Sequence, residues 1–188
     1  LYWRESFRLP QWSRAEIRAR LVASNSERLL DPLASGQGVV AVLGHFGNWD
    51  HCGAWATAKG LPLTTVAERL KPEALFDRFV EYRESLGMEV LPLTGGGHVS
   101  QTLRERLADD GFVCLLSDRD LSPGGIDVDL LGEPARLPAG PALDVFVLDR
   151  DHPARLYSWI RAARESARAG RAARTAGIWE TNNAPSLE

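Results

Sequence analysis

The chain is predicted to be an α/β domain with a mostly parallel central sheet flanked by helices, on three observations. Strand-length apolar runs alternate with stretches of helical periodicity along most of the chain. The run GVVAVLG (38–44) is continuously apolar and bounded by glycines, as a strand buried on both faces is. The segments between strands are long enough for a crossover helix, which parallel pairing requires and a hairpin does not.

The elements follow in order. AEIRARLVASNSERLL (15–30) spaces Ile17, Leu21, Leu29 and Leu30 on one helical face, with Ser13 placed to cap it. GVVAVLG is the first strand, and NWDHCGAWATAKG (48–60) is a helix that Gly60 stops. LPLTTVA (61–67) is the second strand. KPEALFDRFVEYRESLG (71–87) has Pro72 near its first turn, Leu75, Phe76, Phe79, Val80 and Leu86 on one side, and Gly87 at its end, which makes a helix. MEVLPL (88–93) is the third strand, VSQTLRERLAD (99–109) a helix, and GFVCLLS (111–117) the fourth strand. IDVDLLG (126–132) alternates polar and apolar residues, so it is expected to be antiparallel or at an edge.

Composition bounds the rest. The chain's 188 residues suit one domain, and 44% hydrophobic with 25% charged residues is ordinary for a globular protein. A net charge of −3 gives no global reason to bind nucleic acid, and no nucleic-acid partner is expected. Cys52 and Cys114 lie in apolar stretches and read as buried thiols of a reducing compartment. No apolar run approaches the ~20 residues of a membrane span, and no secretory signal is evident, so a cytoplasmic location is expected. The start at Leu1 suits a fragment whose beginning lies upstream.

Chemistry concentrates in GHFGNWD (44–50). His45 follows the first strand and Asp118 follows the fourth, and ligands of parallel sheets gather beyond those strand ends. A histidine within hydrogen-bond reach of a hydroxyl can take its proton, provided a carboxylate fixes the other ring nitrogen. Asp50 lies five positions after His45, about 500° of rotation on an ideal helix, so they cannot share a helix face. If His45 precedes the helix, Asp50 in the first turn can fold back toward the ring. Gly47 permits the tight turn, and Asn48 can cap the helix and leave N–H groups for an oxyanion. The plain alternative is a histidine satisfying a backbone group and an aspartate complementing the helix N-terminus. Periodicity and spacing leave both open.

GHFGNWD resembles the HxxxxD signature of glycerolipid-type acyltransferases, in the branch containing the lipid A lauroyl/myristoyl acyltransferases and the actinobacterial phosphatidylinositol mannoside acyltransferases. YWRESFRLP (2–10), FDRFVEYRESLGMEVLPL (76–93) and FVCLLSDRDLSPGGIDVDLLGEPARLPAGPA (112–142) fit the same branch, in the same order. The resemblance covers residues 1–143. Only Lys59 and Lys71 among 22 basic residues are lysine, and this arginine-rich usage, with SDRDLS, tips the resemblance toward the mannoside branch.

The resemblance implies transfer of a fatty acyl group from acyl-CoA, as co-substrate, to a hydroxyl of a membrane glycolipid, a mannose of a phosphatidylinositol mannoside. No cofactor and no metal are implied. His45 would be the general base, Asp50 the motif's orienting carboxylate, and Asp118 a second carboxylate polarising the ring, with Asp120 in reserve. Arg83 and Arg119 would lie near the acyl-CoA or polar-head pocket. The enzyme would sit peripherally on the cytoplasmic face of the cell membrane. Tyr2, Trp3, Phe7 and Trp12, interleaved with Arg4 and Arg8, suit a segment (1–12) lying among lipid headgroups or, equally, one packed on the core. An acyl-thioesterase or lipid hydrolase, and an inactive lipid-binding remnant, are the alternatives.

Two stretches stand apart. TGGGH (94–98) follows a strand and opens a helix, a geometry that can cradle a phosphate or form a plain turn. His51, Cys52 and His98 lack the spacing of a metal site. From residue 144 the chain departs from the family. Arg155, Arg161, Arg164, Arg168, Arg171 and Arg174 face only Glu165 among acids between 152 and 175. A divergent or frame-shifted tail (144–188) on an incomplete acyltransferase domain (1–143) is expected, weakly ordered and easily proteolysed.

Overall fold

The computed structural model describes residues 2–95, 98–118, 120, 125–130 and 132–138. The expected tail from 144 onward lies outside the described residues, as do Arg119 and two glycines of TGGGH.

Among the described residues, six helices and six strands follow one another as α1 (Tyr2–Ser6), α2 (Arg14–Ala19), α3 (Glu27–Ala34), β1 (Val39–Leu43), α4 (Trp49–Ala58), β2 (Leu63–Ala67), α5 (Glu73–Ser85), β3 (Glu89–Pro92), α6 (Val99–Ala108), β4 (Phe112–Leu116), β5 (Ile126–Leu130) and β6 (Glu133–Leu137), with a 3-10 turn at Leu9–Gln11. The first four strands form one parallel sheet in the order β1-β4-β2-β3. β5 and β6 pair antiparallel as a separate ribbon, in line with the alternating IDVDLLG pattern.

The period of two along each strand sorts side chains to two cores. Phe112 on β4, Leu63 on β2 and Val90 on β3 pack with Ala54, Trp55 and Ala58 of α4, Phe76 of α5, Ile17 of α2 and Leu29 of α3. Val113 and Leu115, the intervening residues of β4, pack on the other face against Leu103 and Leu107 of α6. β4 is central and buried on both faces, hence its unbroken apolar run. β3 is an edge strand and tolerates Pro92 at its end.

One expected element divides. The helix anticipated over 15–30 is α2 and α3 with a break between them. The apolar face has no large member between Val22 and Glu27, Val22 stands 91% exposed, and Asn25 takes a left-handed φ of 53°. Ser24-Asn25-Ser26 prefer side-chain bonds to nearby backbone over continued helix, and no burial opposes them. The start is as anticipated: Ser13 accepts from the Glu16 N–H while the Glu16 carboxylate accepts from the Ser13 N–H, a capping box.

Candidate active site

The site lies beyond the carboxyl ends of two adjacent strands, β1 and β4. Their parallel register pairs Leu43 with Leu116, and the Ser117 N–H donates to the Leu43 carbonyl at 2.8 Å, carrying the ladder one step further. Residues two beyond each strand end therefore emerge side by side. They are His45 and Asp118.

Asp118 holds His45 twice. One carboxylate oxygen accepts from the His45 backbone N–H at 3.0 Å, and the other lies 2.6 Å from ring Nδ1. An ionised carboxylate only accepts, so this contact selects the neutral tautomer with its proton on Nδ1 and leaves Nε2 as a bare lone pair. Burial pushes the Asp118 carboxyl up, but the two bonds from His45 outweigh it and hold the group below the ordinary 3.8. Both side chains are 29% exposed, so the ring is within reach of solvent and of a reactant.

The turn 44–48 makes room for this. Gly47 takes a φ of 65°, a left-handed value that a Cβ disfavours, and a Cβ on Gly44 would strike the Phe46 ring at 2.5 Å. Asn48 caps α4 by accepting from the His51 N–H at 3.0 Å, and its amide donates to Glu5 of α1 at 2.9 Å. Capping satisfies one orphan donor of the first turn; the N–H groups of Trp49 and Asp50, ahead of it, lie outside the helical ladder.

Asp50 does not fold back onto the imidazole. It is 2% exposed, and its two oxygens are taken by the Tyr2 hydroxyl from α1 and by Arg83 Nε from α5 at 2.9 Å. As the second residue of α4 it also meets the positive end of the helix dipole. Arg83, expected near a substrate pocket, is directed to Asp50, with its guanidinium over the Phe79 ring at 5.8 Å. Of the three carboxylates weighed for the ring, the structure brings Asp118 to it, ties Asp50 to the scaffold, and pairs Asp120 with Arg136 of β6 at 3.1 Å.

Sequence reasoning missed Tyr2 and Trp49 as neighbours of the site. Tyr2 stacks on Trp49 with centroids 4.6 Å apart, and Trp49 meets the His45 ring edge-on at 5.1 Å. Burial and the Asp50 carboxylate push the Tyr2 hydroxyl well above its ordinary pKa, so it stays a donor. The WD pair beside the histidine was the available signal, but Tyr2 is 43 residues upstream of His45 and nothing local links them.

The remaining candidates sit elsewhere. His51 Nε2 lies 3.1 Å from the Ile17 carbonyl, and its ring packs on Trp12, so it ties α4 to α2. His98 precedes α6 beside an open hollow of about 370 Å³ with Leu93 and Arg104. Cys52 and Cys114 line a small apolar cavity of about 40 Å³ with Leu43, Trp55 and Phe112. Burial pushes the Cys114 thiol up to about 12, which keeps it protonated. Among the described residues, no group of three or more His, Cys, Asp or Glu is arranged to hold a metal, and no helix is long and apolar enough to cross a membrane.

Residues 1–148 match the family described as bacterial lipid A biosynthesis acyltransferase. The phosphatidylinositol mannoside acyltransferase of Mycolicibacterium smegmatis is 51% identical over 142 residues, covering 75% of this chain and 47% of that protein. The protein of the same name from Mycobacterium tuberculosis is 49% identical over 144 residues, covering 75% and 46%. The chain thus spans about half the length of the curated relatives it matches. With a family match across most of its residues and relatives at about half identity, this chain belongs to the bacterial lipid A biosynthesis acyltransferase family.

Proposed function

We propose that the chain carries the general-base centre of an acyltransferase that moves a fatty acyl group from acyl-CoA to a mannose hydroxyl of a phosphatidylinositol mannoside. The observation that carries this is the Asp118 carboxylate 2.6 Å from His45 Nδ1, which leaves Nε2 basic and open at the sheet's ligand-binding end. In the step, Nε2 takes the proton of the acceptor hydroxyl as its oxygen bonds to the thioester carbonyl carbon. The tetrahedral oxyanion collapses, the carbon–sulfur bond breaks, and the imidazolium returns its proton to the departing thiolate. Asp118 stabilises that imidazolium, and N–H groups at the start of α4 are the nearest oxyanion donors. Asp50 and Arg83 hold the turn that presents the histidine. The names of the two mycobacterial relatives support the glycolipid acceptor.

Labelled acyl-CoA incubated with and without the mannoside lipid tests the proposal. Transfer to the lipid is expected for the wild type and its abolition for His45→Ala, with the fold retained. A purified His45→Ala variant with wild-type turnover would sink the base assignment. The 29% exposure of the ring favours one second reading, hydrolysis of the thioester by water at the same base. Release of free acid, unaffected by acceptor lipid, would identify that activity.

Membrane contact belongs to the same proposal. Trp3 is 57% and Phe7 73% exposed on α1 and the turn after it, beside Arg4 and Arg8, whereas Tyr2 and Trp12 pack inward. Apolar rings flanked by arginines suit the headgroup layer of the cytoplasmic leaflet. Co-sedimentation with anionic liposomes is expected to weaken for Trp3→Ser/Phe7→Ser, and equal sedimentation would remove this role.

A further inference from the structure

We propose that Tyr2 is a positioning residue for His45, acting through the ring of Trp49. The proposal rests on His45 as the base where turnover is concerned; the ring geometry it describes does not depend on that. Three rings stand in sequence: Tyr2 on Trp49 at 4.6 Å and 25°, then Trp49 on His45 at 5.1 Å and 77°. The imidazole is therefore in contact with both the Asp118 carboxylate and the Trp49 indole.

The indole needs backing. Trp49 is the first residue of α4, directly after the Gly47-Asn48 turn, and its ring contacts both the Tyr2 ring and the His45 ring. A ring with nothing stacked behind it can turn about its side-chain torsions, and the imidazole it confines would then turn with it. Tyr2 is itself doubly fixed. Its hydroxyl donates to Asp50, which Arg83 pins in the interior, and the next residue but two along α1, Glu5, accepts from Asn48. The wall behind the catalytic ring is thus anchored to the same buried carboxylate that starts α4. A base must present Nε2 to the acceptor hydroxyl within a few tenths of an ångström and 10–20° or so, and small misplacements cost on the order of 100-fold in rate.

Two variants separate stacking from hydrogen bonding. Tyr2→Leu removes the ring, and Tyr2→Phe removes only the hydroxyl. Acyl transfer is expected to show kcat lowered by about 10- to 100-fold in Tyr2→Leu with KM unchanged, because ring placement and not substrate binding is lost. Tyr2→Phe should recover most of that loss. A purely structural role would lower the active fraction in both variants and track stability, with no rescue keyed to the ring.

The second readout needs no turnover. Nitrogen-15 shifts of the His45 ring, at about pH 8.5 where an ordinary imidazole is neutral, report the tautomer directly; loss of the signal in His45→Gln assigns it. The wild type and Tyr2→Phe should show the Nδ1-protonated tautomer and cross-relaxation between the Trp49 indole and the His45 ring. Tyr2→Leu should move both nitrogens toward the average of the two tautomers and lose the cross-relaxation. A Tyr2→Leu ring identical to wild type overturns the proposal, as does a Tyr2→Phe ring displaced as far as the leucine variant's. Should the leucine variant fail to fold, Tyr2→Met fills the space without a ring, and the phenylalanine result still decides. Absence of acyl transfer by the wild type would count against the proposed function, while the ring shifts would still test Tyr2.

Discussion

The sharpest consequence of the structure is a division of labour between the two aspartates of the site, and urea denaturation can measure it. Asp50 is 2% exposed, and its partner Arg83 is 16% exposed. Removing one member of a buried, hydrogen-bonded ion pair costs about 3–5 kcal/mol, since it strands the other charge away from water. For a domain stable by about 5–15 kcal/mol, that is roughly a fifth or more of the total. With a urea slope of about 2 kcal/mol/M, Asp50→Ala should lower the midpoint by roughly 2 M at unchanged slope. Arg83→Met should do nearly as much, and the double variant should cost less than the sum, with a coupling of at least about 1 kcal/mol.

The other aspartate should behave in the opposite way. Asp118 and His45 are each 29% exposed, where an ion pair contributes under about 1 kcal/mol. Asp118→Asn should therefore shift the midpoint by less than about 0.5 M while lowering acyl transfer sharply, because an amide can donate to Nδ1 and permit the wrong tautomer. If Asp50→Ala unfolds at the wild-type urea concentration, or Asp118→Asn costs more stability than Asp50→Ala, the division is refuted.

Three further expectations can be checked on the same preparations. Ser13→Ala removes the capping box of α2 and should cost about 1 kcal/mol in urea midpoint analysis, with acyl transfer per folded molecule unchanged. Gly47→Ala forces a Cβ into a φ of 65°, a strain of about 1–2 kcal/mol, and should also lower turnover because the turn sets the height of His45. Because the Asp118 carboxyl is held below 3.8 in the folded protein, its contribution to stability is complete above the unfolded value and lost as pH falls through the folded one. The stability gap between wild type and Asp118→Asn should thus be present above the ordinary carboxylate range and close as pH falls below it. A gap that widened on acidification would contradict the sign.

Much of the architecture was legible because burial wrote it into local patterns. VVAVL and FVCLL read as strands because apolar neighbours pack on both faces, closely on the central β4 and only partly on β1, which is half-buried along its length, and Gly60 and Gly87 ended helices as glycines with left-handed φ do. The break between α2 and α3 was not legible from the spacing of Ile17, Leu21, Leu29 and Leu30, which matches one face only if the polar Ser24-Asn25-Ser26 is ignored. In the site, His45 and Asp118 could both be placed at strand ends, but which carboxylate met the ring depended on strand order. The pattern says that two strands exist; only pairing across the sheet says that β1 and β4 are neighbours in register. The roles of Tyr2 and Arg83 as partners of Asp50 were invisible for the same reason, since each contact joins elements 33 or more residues apart.

The fixed spacing of His45 and Asp50 then takes on a different meaning from the one spacing alone suggests. Two residues that must touch can be far apart in sequence, as His45 and Asp118 are, because the sheet's register delivers them together. Two residues held at a constant short interval are instead constrained by a local piece of backbone, here a left-handed glycine, a cap at Asn48 and the first turn of α4. Asp50, in that first turn, is tied to α1 by the Tyr2 hydroxyl and to α5 by Arg83. The carboxylate that meets the imidazole thus comes from a long-range pair, while the short motif ties the start of α4 to the scaffold.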